Sequence, residues 1–248
     1  MGRSEVYNAL VKYGIEEGME VSCFSNIGEI YKFSEFFKNV DSFDFSFDRP
    51  DAYIKKDNSI LIIEHFVVDE YESYINGGSK LVRKFREADK ELSIHPLDNG
   101  WAHINDKIAE NASYELYISN CKARFMQHYE KIGSYKNHLI EESIADENTN
   151  FIVCFLMEEI SPLGVNMSDG ESIHPVCLAK SKEFLEFFEE KVKVDWILSA
   201  VLLPEGYKAY FLSQAEVEIC KKNTLDYARF QTVFGNPMMT SFKLLIDT

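Results

Sequence analysis

The stretch RPDAYIKKDNSILIIEHF, residues 49–66, restricts the fold more than any other part of the chain. At its centre Asp57-Asn58 is a turn dipeptide between two strand-forming runs. Asn tolerates the positive φ that tight hairpin turns need. A two-residue loop pairs 56 with 59 and 55 with 60, and the ladder continued outward sets Asp51 opposite Glu64. A four-residue loop over 56–59 keeps the same register. Directly opposed residues share a sheet face, with Cβ atoms about 4.5–5.5 Å apart. Two carboxylates therefore face each other where the run Ile60-Leu61-Ile62-Ile63 ends. Like charges so placed repel, and a divalent cation between them removes the conflict. Mg²⁺, which takes one or two carboxylates together with water and phosphate oxygens, suits the pair. The same spacing also serves a turn cap at Asp51 and a Glu64 that reaches solvent.

Around this hairpin the pattern alternates between helix and strand. SEVYNALVKYG reads as an opening helix stopped by Gly14, and NIGEIYKFSEFFKNV as a second helix with Asn26 as cap and an apolar stripe. SFDFSF, DAYIKK and SILIIEHFVV are three strand-like runs in succession. KLVRKFREADKEL spaces Leu81, Phe85 and Leu92 for one helix face. Residues 101 to about 144 read as helical, with a break near Gly133-Ser134. NFIVCFLME is apolar almost throughout, as a strand covered on both faces should be. EISPLGVNMSDGESIHP reads as loop and SKEFLEFFEEKV as helix. VDWILSAVLL and YKAYFLS form a hairpin around Pro204-Glu205-Gly206, and QAEVEICKK returns to helix. The order predicts one mixed α/β domain over 1–248, with a helical insertion at about 93–148.

Composition narrows the function. The 248 residues are 46% hydrophobic, enough for a substantial core, and no apolar run approaches the length that spans a bilayer. With no basic-then-apolar leader, the expected compartment is the cytoplasm and no membrane partner is expected. Cys23, Cys121, Cys154, Cys177 and Cys220 are scattered without a CxxC pair, so they read as buried thiols and not as a disulfide frame or zinc site. His103, His128 and His138 lack HExxH spacing, and no GxSxG elbow, phosphate-binding glycine loop or dinucleotide fingerprint is present. A net charge of −15 opposes indiscriminate nucleic-acid binding. Residues 79–92 and 121–138 run against that balance, with nine basic residues against four acidic ones, a net +5. Two solvated helix faces would show the same bias. Tyr129, Lys131, Tyr135, Lys136 and His138 mix aromatic and basic groups in the manner of a surface for phosphates and exposed bases. A packed helix pair with charged outer faces explains them equally.

Pro50-Asp51, a short spacer and an apolar strand ending in Glu64-His65-Phe66 resemble the PD-(D/E)XK nuclease superfamily, the restriction-endonuclease-like fold. The element order resembles it too: helix, three-strand meander, helix, strand. The likeness covers about residues 26–92 and the strand at 150–157. It implies a restriction-endonuclease-like mixed sheet with a helical insertion and a C-terminal hairpin. By the same resemblance Asp51 and Glu64 would hold a catalytic Mg²⁺, joined by the carbonyl of His65. The activity implied is hydrolysis of DNA phosphodiesters, commonly in restriction or phage defence.

One departure stands out. The family's lysine should stand where Phe66 is, and Phe66 can neither orient water nor stabilise a phosphorane. Some members resembling this pattern bring the lysine from a neighbouring element. Here Lys80 is the first choice, Lys84 lies one turn on, and Lys55 lies about 13 Å along the Asp51 strand. An added acid from the helix before the meander would be Glu29, which falls beside Phe33, Phe36 and Val40, and not Glu35. Lys80, Arg83, Lys84, Lys122, Arg124, Lys131 and Lys136 would then contact DNA. The alternative keeps the fold and drops the chemistry: a catalytically degenerate relative that binds a protein partner as a scaffold module.

Overall fold

The computed structural model describes residues 22–23, 27–45, 47–68, 101–103, 113–159, 164–166, 173–203, 206–229, 231–233 and 241–243. Twelve strands are assigned among these residues: β1 (Ser22–Cys23), β2 (Ser42–Asp44), β3 (Ala52–Lys56), β4 (Ser59–Val68), β5 (Trp101–His103), β6 (Asn150–Glu159), β7 (Gly164–Asn166), β8 (Ile173–Pro175), β9 (Trp196–Leu203), β10 (Gly206–Ser213), β11 (Gln231–Val233) and β12 (Ser241–Lys243). The α-helices are α1 (Ile27–Glu35), α2 (Tyr114–Tyr129), α3 (Ile132–Glu141), α4 (Lys182–Glu189) and α5 (Val217–Cys220). The expected helices at 4–14 and 80–92 lie outside the described residues.

A seven-stranded mixed sheet runs in the order β1-β10-β9-β6-β4-β3-β2. The meander is antiparallel from β2 through β3 to β4, with Lys56 opposite Ser59, Lys55 opposite Ile60 and Ala52 opposite Ile63. This is the register that the Asp57-Asn58 turn demands. Asp57, and not Asn58, takes the positive φ, at 53°, and its N–H donates to Asp41 Oδ2 at 2.7 Å. β6 lies parallel to β4 over ten residue pairs and parallel to β9 on its other side. That central position accounts for its unbroken apolar run. Asp195 ties the last two together: its N–H donates to Val153 O, and its Oδ2 accepts from Val153 N, both at 2.9 Å. The β9–β10 hairpin closes with Leu203 opposite Gly206, as expected.

Alternation along the strands divides the core into two layers. Ala52, Ile54, Leu61, Ile63, Cys154, Leu156, Trp196, Leu198 and Phe211 pack under Phe33 and Phe36 of the α1 segment. Phe33 meets Trp196 edge to face at 5.5 Å, the arrangement that ring quadrupoles favour. On the opposite face Phe155 receives Phe125 of α2 at 4.8 Å, and Phe125 in turn meets Phe188 of α4 at 5.9 Å. Ser181 caps α4 by accepting from Phe184 N–H at 3.1 Å.

Three short strands depart from expectation. Trp101–His103, read as helical, pairs antiparallel with β12. The segment read as loop carries β7 and β8, which pair with each other while β11 pairs with β7. Strands of three residues have no period to read, so only their long-range partners define them. The packing also groups the chain differently from one domain with an insertion at 93–148. Residues 1–68, 121–160 and 177–226 form one compact unit, and 69–120, 161–176 and 227–248 form another. α3 and the second half of α2 belong to the first unit, because their apolar faces cover its sheet.

A β-branched residue at position 57 would be forced into a backbone region it avoids. Asp57→Val should therefore cost about 1–2 kcal/mol, read as a fall of about 2–8 °C in Tm. Asp57→Gly, free to adopt that φ, should melt close to the parent protein.

Candidate functional site

The β3–β4 ladder has its last pair at Ala52–Ile63, and one step further Asp51 comes beside Glu64. Two hydrogen bonds close this corner. Asp51 N–H donates to Glu64 Oε1 at 3.1 Å, and His65 N–H donates to Asp51 Oδ2 at 2.8 Å. Each carboxylate thus grips the backbone of the strand opposite, so the two acids cannot separate without opening the ladder.

Glu64 is 3% exposed, and burial of an ionised carboxylate requires compensating donors. Two helices supply them to one oxygen, Oε2. His128 of α2 brings Nδ1 to 2.7 Å, and Tyr135 of α3 donates its hydroxyl at 3.0 Å. With Glu64 ionised and accepting, the hydrogen of that imidazole bond sits on Nδ1. The imidazole lies flat on Phe66, with ring centroids 4.6 Å apart and planes 15° from parallel. The residue that replaces the expected lysine is the platform for a histidine from elsewhere in the chain.

Electrostatics reflect the crowding. Burial, and then the Glu64 carboxylate, hold the Asp51 carboxyl above its ordinary pKa, against the opposing pull of the His65 N–H and the imidazoles of His128 and His65. Burial and Glu64 likewise push the Tyr135 hydroxyl upward, so it remains a donor.

Other expected site residues lie elsewhere. Glu29 is on the apolar stripe of α1, as its spacing requires, but that stripe covers the sheet face opposite Glu64. There its Oε2 accepts from Trp196 Nε1 and Ser213 Oγ, each at 3.2 Å, and Lys32 pairs with it. It cannot join Asp51, because the sheet lies between them. The side chain of His65 also points away from the pair, with Nε2 3.0 Å from Glu158 Oε2; the corner uses its peptide. Lys55 is held by Ile144 O at 2.6 Å. Lys80, Arg83 and Lys84 lie outside the described residues.

Three basic residues of 121–138 have partners other than the Glu64 corner. Lys122 lies over the Phe187 ring at 5.7 Å, and Arg124 donates to Gln127 at 3.2 Å. Lys136 covers Phe151 at 5.4 Å, where burial lowers its pKa. Phe151 pairs with Ile60, four residues before Glu64 in the β4–β6 register. The helices deliver His128 and Tyr135 to the corner instead. These two stand 64 and 71 residues from Glu64 in sequence, and no local spacing announces them. The one available signal was that Tyr135 falls in the aromatic–basic segment singled out for phosphate contact.

The donor set can be tested against a cation. Among the described residues no group of three or more His, Cys, Asp or Glu side chains is arranged to hold a metal ion. A zinc site with three or four such ligands does not fit. A two-carboxylate site fits. Asp51 Oδ1 has no hydrogen-bond partner among the described residues, and Glu64 Oε1 accepts one bond, so each oxygen keeps lone-pair capacity. Mg²⁺ asks for no more protein ligands than these. Among the described residues no helix is long and apolar enough to cross a membrane. In comparisons with known proteins the chain matches no family model, no curated protein and no solved structure.

Because the folded chain holds the Asp51 proton more tightly than the unfolded chain does, Asp51 favours folding only at acid pH. That contribution is lost as pH rises through the raised folded value. At neutral pH the ionised group is a cost. Asp51→Asn, which still accepts from His65 N–H, should melt a few degrees above the parent near neutral pH. The gain should shrink to nothing as pH falls into the carboxylate range, in melting curves recorded across that interval.

Proposed function

We propose that the Asp51–Glu64 corner is the divalent-cation site of a phosphodiesterase acting on DNA, built on a restriction-endonuclease-like sheet. The observation that carries this reading is the mutual grip of two carboxylates, each accepting from a peptide N–H of the opposite strand, in an environment that raises the pKa of one of them. A fold gains no stability from such a pair, whereas a cation site requires it. The antiparallel β2–β3–β4 meander, with β6 added parallel to β4 after two helices, supports the same reading.

When bound, Mg²⁺ lowers the pKa of its water and neutralises charge on the scissile phosphate. The protein's part is to hold the two carboxylates. Asp51 offers Oδ1 while the His65 N–H fixes its other oxygen, and Glu64 offers Oε1 while His128 and Tyr135 hold Oε2. The transition-state cation is assigned to Lys80, with Lys84 next. DNA contact is assigned to Arg83, Lys122, Arg124, Lys131 and Lys136, at surfaces beyond the corner itself.

Parent protein and Asp51→Asn, with a plasmid substrate and Mg²⁺, provide the test. Cleavage by the parent and its loss in Asp51→Asn, the variant expected to be more stable near neutral pH, is the expected result. Lys80→Ala should slow cleavage by about 100–1000-fold, the scale of losing one electrostatic donor. DNA retention should weaken steeply with salt as counterions are released.

A second reading is favoured by one observation: Phe66 and His128 fill the lysine's place with stacked rings. A degenerate relative serving as a protein-binding scaffold would keep such a pair for packing. It would show no cleavage and no divalent-dependent rise in Tm.

A further inference from the structure

The two oxygens of Glu64 are treated unequally. Oε2 receives both side-chain donors, at 2.7 and 3.0 Å, whereas Oε1 accepts only the longer 3.1 Å bond from Asp51 N–H. The carboxylate is therefore clamped by one oxygen and offered by the other. His128 is in turn fixed by its stacking on Phe66 and by the edge of Phe155, at 6.3 Å. Tyr135 is 3% exposed, which leaves it little room to swing away.

We infer that His128 and Tyr135 set which divalent cation the corner accepts, by confining Glu64 to one-oxygen ligation through Oε1. The inference rests on the cation-site reading above and adds its selectivity. Mg²⁺ takes near-octahedral geometry from single carboxylate oxygens and water. Ca²⁺ takes six to eight oxygens and readily draws both oxygens of one carboxylate. A Glu64 whose Oε2 is committed to two donors suits the first ion and starves the second. Phe66 acquires a role in the same argument: it is the platform that keeps His128 aligned with Oε2. His128 and Tyr135 are positioning residues here, acting through Glu64 and not on the substrate.

Binding, not turnover, provides the readout. The parent, Tyr135→Phe, His128→Ala and Asp51→Asn are titrated with MgCl₂ and with CaCl₂ and followed by thermal shift, since an ion held only by the folded state raises Tm. Tyr135→Phe removes a single oxygen, so it keeps the test valid if His128→Ala folds poorly. The parent should prefer Mg²⁺ over Ca²⁺, and Asp51→Asn should lose the response to both. In Tyr135→Phe and His128→Ala the Mg²⁺/Ca²⁺ affinity ratio should fall by about tenfold, the lower end of the effect of removing a partner of a metal ligand. A ratio unchanged in both variants, with the parent still binding Mg²⁺ through Asp51, overturns the inference and leaves the cation-site reading standing. A parent with no Asp51-dependent response to either ion overturns both.

Discussion

The site depends on the way β4 is held from both sides. It pairs antiparallel with β3 and parallel with β6, the latter over ten consecutive residue pairs. A slip of one residue would send every side chain of the strand to the opposite face. It would carry Glu64 into the layer of Phe33 and Trp196, and Leu61 and Ile63 under the helices. The burial of Leu61 and Ile63 is thus what fixes the carboxylate on the side of His128 and Tyr135. Packing on one face of the sheet sets the chemistry of the other.

The corner also shows how a buried acid finds hydrogen-bond partners without a lysine beside it. Glu64 has three donors in all, from a peptide, an imidazole and a phenol. Asp51 has one, from the His65 peptide, and it is Asp51 whose pKa rises. The two acids are chemically similar and adjacent, but the helices compensate only one of them.

The hairpin and its facing acids were legible because they are local: Asp57-Asn58 sets the register and period-two alternation does the rest. The face of α1 on which Glu29 lies was legible for the same reason. Which face of the sheet α1 would cover was not, since the helical period carries no information about the partner layer. Phe66 read as a defect in a motif until its ring partner was known, and that partner lies 62 residues away in sequence. Contacts of that separation are products of the whole fold. The lysines of 121–138 illustrate the converse: their charge was plain in the sequence, yet Lys122 and Lys136 settle over phenylalanine rings.

The cysteines carry a consequence of a different kind. Cys121, Cys154, Cys177 and Cys220 are all reduced and buried. Burial pushes the Cys177 thiol up to about 12 and raises Cys154 as well, so little reactive thiolate forms at these two positions. Cys154 lies in the central strand, under the α1 layer, while Cys220 closes the short helix after β10. Alkylation of each thiol must wait for its own surroundings to open. The four sulfurs form a set of internal clocks, which time the opening of the short helix separately from that of the central strand.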